Sequence, residues 1–112
     1  MSSSKHVQVD LPPDRSAARV ARDALAALTA NEEAQLVVGE LVTNAVVHGS
    51  PPISLSATPL ATGLRVEVRD GRPDLGPAAP DSRGLRLVQA VALQWGVDSH
   101  SDGKVVWAFL PI

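Results

Sequence analysis

Apolar residues return along this chain with two different periods, and their order predicts the elements. Val7, Val9 and Leu11 alternate with polar neighbours, so residues 6–11 form a candidate edge strand. Pro12-Pro13 stop it, and Asp14 supplies a helix N-cap. From Arg15 to Leu28 the apolar positions Ala17, Ala21, Ala24, Leu25 and Leu28 recur at three- and four-residue spacing, which predicts an amphipathic surface helix. Thr29 and Glu32 have capping-box spacing, so a second helix starts near Ala30 and runs to about His48. Gly49 stops it and Pro51-Pro52 prevent its continuation.

Beyond that point the period falls to two. Ile53 to Pro59 and Leu64 to Asp70 are apolar alternating runs around Ala61-Thr62-Gly63, which predicts a hairpin. The stretch from Gly71 to Ser82 holds Pro73, Pro77 and Pro80 and reads as a loop. Helical spacing returns from Arg83 to Leu93, and Trp95–Ser101 with Lys104–Leu110 form a closing hairpin turned at Asp102-Gly103. Helices with adjacent antiparallel strands in this order predict a two-layer α+β sandwich over residues 1–112, a single domain.

The second helix is the informative one. Ala34, Val38, Leu41, Val42 and Ala45 make its main apolar face, while Glu40, Asn44 and His48 line a polar stripe one turn apart. Val37 borders that stripe on one side, and Leu36 and Val47 border it on the other. A solvent-facing stripe normally carries several charges, and this one has a single carboxylate in apolar surroundings, where an ionised group needs partners. A helix with its back on a sheet and its polar stripe on a ligand pocket accounts for this. A carboxylate and a carboxamide one turn apart suit a hydrated magnesium ion, which takes oxygen ligands and keeps waters. Two plainer assignments stay open: Glu40 at the helix edge, and Asn44 capping a neighbouring loop. His48 fits a helix-end residue near the dipole better than a base.

Composition narrows the partners. The chain is 45% hydrophobic and 20% charged, enough apolar content for a core, and its net charge of -2 without a basic cluster argues against nucleic acid. It has no cysteine, so disulfides and thiolate metal sites are excluded. No signal core and no apolar stretch of spanning length is present, so the expectation is a cytoplasmic protein without a membrane contact.

Four blocks then resemble the GHKL, or histidine kinase-like, ATPases, and specifically the anti-sigma factor serine/threonine kinase branch. Glu40-Leu41-Val42-Thr43-Asn44-Ala45-Val46-Val47-His48-Gly49 looks like the N-box, and Val66-Glu67-Val68-Arg69-Asp70-Gly71-Arg72-Pro73 like the first glycine box. Ser82-Arg83-Gly84-Leu85-Arg86-Leu87-Val88 resembles the second glycine box, and Gly103-Lys104-Val105-Val106-Trp107 the closing strand. The blocks stand in the family's order and cover most of the chain beyond residue 30.

The resemblance implies a Bergerat-type sandwich, a mixed and mostly antiparallel sheet with helices on one face and ATP under a lid. It implies that Asn44 holds the phosphate-bound Mg2+ and that Glu40 is the general base toward a serine or threonine hydroxyl. Asp70 would accept a hydrogen bond from the adenine amino group, with Gly71 turning the backbone behind it. Gly84, flanked by Arg83 and Leu85, would approach the phosphates. From the residues alone, Asp70 also fits a turn-starting aspartate, Gly84 a loop-to-helix glycine, and Arg86 a surface residue.

The implied role is an ATP-binding anti-sigma factor. It would sequester a sigma factor and phosphorylate a STAS-domain anti-anti-sigma factor, and members of this branch are often homodimers. Four departures favour a second reading, a non-catalytic binding module with weak or lost ATP binding. They are Arg72 after the first glycine box, Ser82 for a glycine, Val105 for the usual threonine near Asp70, and a short lid between Asp70 and Arg83. A free-standing histidine kinase ATPase domain fits less well, because no phosphoacceptor helix or dimerisation segment precedes residue 12.

Overall fold

The computed structural model describes residues 5–73 and 83–111, with the backbone alone for 83–85. Five strands and three helices follow in the order β1 (Val7–Leu11), α1 (Ala17–Leu25), α2 (Glu32–His48), β2 (Ile53–Leu60), β3 (Gly63–Asp70), α3 (Arg83–Val91), β4 (Gln94–His100) and β5 (Gly103–Leu110). The strands form one sheet in the order β1-β2-β3-β5-β4. All four pairings are antiparallel. The sheet is therefore wholly antiparallel, where the resemblance implied a mixed and mostly antiparallel one, because β5 lies between β3 and β4 and pairs with both in the antiparallel sense.

One face of the sheet is the core. Leu55 and Ala57 of β2, Leu64, Val66 and Val68 of β3, and Ala108 and Leu110 of β5 are all buried there. Against them lie Ala34, Val37, Val38, Leu41, Val42 and Ala45 of α2, and Ala17, Ala21 and Leu25 of α1. The buried residues of α1, Ala17, Ala21 and Leu25, recur every four positions and let it pack on α2 and β1. The opposite face is polar and partly aromatic, with the Arg65 guanidinium 4.6 Å from the centroid of the Trp107 ring.

Local chemistry shifts several boundaries. Asp14 is not the N-cap of α1; its carboxylate accepts from the Ser16 amide at 2.8 Å and the Ser16 hydroxyl at 2.6 Å, shaping the turn ahead of the helix. At its far end α1 tightens early, with Ala27 and Leu28 donating three residues back to Ala24 and Leu25. The cap of α2 is Asn31, whose Oδ1 accepts from the Ala34 amide at 2.9 Å, while Thr29 accepts from Asn31 itself. The last hairpin turns at Ser101-Asp102, and Gly103 opens β5 with φ +154°, a conformation that suits glycine.

Candidate functional site at the end of helix α2

The pleat puts Asp70 next after Leu64, Val66 and Val68 on the core face of β3, and it is 1% exposed. It also lies beside the last turn of α2, where helix carbonyls concentrate partial negative charge. A carboxylate there needs donors. Lys104, directly opposite on β5, places Nζ 3.1 Å from Oδ2 and 3.4 Å from Oδ1. The Arg72 amide donates to Oδ1 at 2.8 Å. The Arg72 guanidinium donates to the His48 carbonyl at 3.0 Å, so the cation sits on the negative end of the helix.

Backbone also packs closely here. A Cβ on Gly49 would stand 2.5 Å from Asp70 Cγ and 2.6 Å from the Ala45 oxygen. The Gly71 amide donates to the Ser50 oxygen at 2.6 Å, and a Cβ there would meet the Pro51 oxygen at 2.5 Å. The pivot expected at Gly71 is thus also a close approach between the loop after β3 and the loop after α2.

The polar stripe of α2 runs away from this corner. Glu40 and Asn44 are half-buried and His48 is exposed; Val37 on one border is buried, while Leu36 and Val47 on the other are 53% and 65% exposed. At about 1.5 Å of rise per residue, Asn44 lies ~7.5 Å and Glu40 ~13 Å along the axis from Gly49. Helix α3 packs on α2 and β4, and Gly84 is its second residue, within the first turn. The side chains of Arg83 and Leu85, together with Ser82 and the lid over 74–82, lie outside the described residues.

Two residues acquire a different meaning from the one their sequence suggested. Val105 pairs with Arg69 and is buried on the sheet face opposite Asp70, so a hydroxyl at that position would not meet the carboxylate. The residue of β5 that does meet it is Lys104. Arg72, expected only as a departure from the glycine box, ties β3 to α2 through both its amide and its guanidinium. The pairing of β3 with β5 was the missing signal, because α3 and β4 intervene in the chain.

A family model described as a histidine kinase-like ATPase domain matches residues 8–109. Solved structures similar to this chain include the histidine kinase domain from the Erythrobacter litoralis EL346 blue-light activated histidine kinase. It shares 25% identity at a TM-score of 0.56, over 70% of this chain and 43% of that one. The chain therefore spans less than half of that neighbour's length. No curated protein matches. Among the described residues no helix is long and apolar enough to cross a membrane, and no group of three His, Cys, Asp or Glu could hold a metal ion.

Proposed function

Since this chain belongs to the histidine kinase-like ATPase family, we propose that it binds ATP with Mg2+ and acts as an anti-sigma factor serine/threonine kinase, sequestering a sigma factor and phosphorylating a STAS-domain antagonist. The observation that carries the nucleotide site is the buried carboxylate of Asp70 at one end of α2, with Asn44 and Glu40 along the same helix. The four sequence blocks in family order support the anti-sigma branch.

The donor set fits the magnesium ion that the family implies. Asn44 offers one amide oxygen, which with phosphate oxygens and waters is enough for a hard cation that dehydrates reluctantly. Bound there, Mg2+ would supply charge neutralisation at the phosphates. The chain's own part is positional: Asp70 accepts from the base, and the first turn of α3 presents amides to the phosphates. Glu40 would take the proton from the attacking serine or threonine hydroxyl as that oxygen bonds to the γ-phosphorus, while the bond from the γ-phosphorus to the bridging oxygen breaks and ADP leaves.

Calorimetric titration with ATP and magnesium, run beside Asp70→Asn and Asn44→Ala, tests the site. Binding weakened by the first variant and stripped of magnesium dependence by the second is the expected result. Transfer of labelled γ-phosphate to a cognate antagonist should then disappear in Glu40→Ala. Absence of binding at millimolar ATP in the parent and in every variant would overturn the kinase. One structural observation favours the non-catalytic module instead: Asp70 already holds Lys104 at 3.1 Å.

A further inference from the structure

The geometry points to Lys104 as an internal competitor of the nucleotide: its ammonium occupies the acceptor on Asp70 that an incoming adenine amino group needs, so ATP is held only when Lys104 withdraws. This rests on Asp70 as the base acceptor. Lys104 and Asp70 form the last rung between β3 and β5, on the same core face as the rungs Leu64–Leu110 and Val66–Ala108. The ammonium straddles both carboxylate oxygens, at 3.1 Å and 3.4 Å, and leaves Asp70 1% exposed.

Among the described residues, the other groups placed against the carboxylate are main chain. The Arg72 amide holds Oδ1 at 2.8 Å, and Gly49 presses against Cγ too closely for a methyl group. Neither can leave without moving β3 or α2. Lys104 hangs from a flexible four-carbon stem and its side chain is 16% exposed, so it has a way out to water. An amino group of the base brings the same kind of donor to the same oxygens. A carboxylate has lone pairs for both donors, but at 1% exposure Asp70 leaves room for one of them. The two therefore exclude each other, and the apparent affinity for nucleotide falls by the fraction of molecules in which Lys104 has withdrawn.

Lys104→Met keeps the stem and removes the donor, whereas Lys104→Arg keeps a cationic donor at the carboxylate. In calorimetric titration with ATP and magnesium, Lys104→Met should bind roughly tenfold or more tightly than the parent, and Lys104→Arg no more tightly. Equal affinity in parent and Lys104→Met overturns the competition and leaves the nucleotide site standing. Weaker binding in Lys104→Met overturns it by making Lys104 a nucleotide contact. No binding in a folded Lys104→Met, checked by circular dichroism, overturns both the competition and Asp70 as a base acceptor.

A second measurement needs no variant. Lys5 and Lys104 are the only lysines of the chain, so Lys5 is an internal reference. Under an amine-acylating reagent read by mass spectrometry, saturating ATP with magnesium should raise the labelling of Lys104 relative to Lys5. Unchanged or lowered labelling at saturation overturns the proposal.

Discussion

At its C-terminal end α2 is pressed onto β3 by backbone, through Gly49 against Asp70 and the Gly71 amide on Ser50. Along its polar stripe the same helix leaves Glu40 and Asn44 half-buried beside the exposed Leu36 and Val47. The first region has no room for an added methyl group and holds an ion pair; the second is partly open to solvent. Under the proposed function, base recognition and structural integrity would be joined at one end of the helix, with proton transfer and phosphate contact at the other.

Gly49→Ala should be the most damaging change, because neither the Ala45 carbonyl nor the enclosed Asp70 carboxylate can give way. A loss of about 3 kcal/mol in urea unfolding is expected, against a change within ~0.5 kcal/mol for Glu40→Gln on the open stripe. Similar losses at both positions would dissolve the contrast. Asp70→Ala removes one partner of the ion pair, and since the Lys104 side chain is 16% exposed and can turn to water, about 2 kcal/mol is expected, below the range for fully enclosed pairs.

Away from both regions, Asn31→Ala deletes the cap of α2 and should cost about 1 kcal/mol, seen as a lowered thermal midpoint with nucleotide binding unchanged. The smallest effect belongs to Asp14, whose carboxyl is held below the ordinary carboxylate value chiefly by the Ser16 hydroxyl and also by the Ser16 amide. Its contribution to stability is complete above that ordinary value and is lost as pH falls through the lowered one. Asp14→Asn keeps an acceptor oxygen without a titration, so the acid limb of the melting curve should flatten slightly; an unchanged limb would refute this.

The sandwich and the type of each element were legible because their signals are local: periods of two and of three to four, and breakers at Pro12-Pro13, Gly49 and Pro51-Pro52. The five residues named as the main apolar face of α2 are all buried. Of the two stripe borders, only Val37 proved buried, because which side of the stripe faces the rest of the fold depends on how α2 is docked. The helix starts were harder to place. Asp14, Thr29 and Asn31 can all accept from nearby amides, and only the backbone path decides that Asn31 caps α2 while Asp14 shapes a turn. The placement of Glu40 and Asn44 on one helix and of Asp70 at a strand end was legible, since each is set by its own helix or strand. Lys104 was not, since its role depends on a pairing across 34 residues of chain.

That pairing also bears on how the protein is made. Strand β5 is the last element in the chain, yet it takes an inner position in the sheet, between β3 and β4. During synthesis β1, β2 and β3 emerge before β5, and a sheet of these three has a far edge, along β3, with unpaired amides and carbonyls. Asp70 has no lysine beside it at that stage. The arrival of residues 103–110 covers the edge and neutralises the carboxylate in one event, so a nascent chain lacking them offers a sticky β3 to its neighbours and to chaperones.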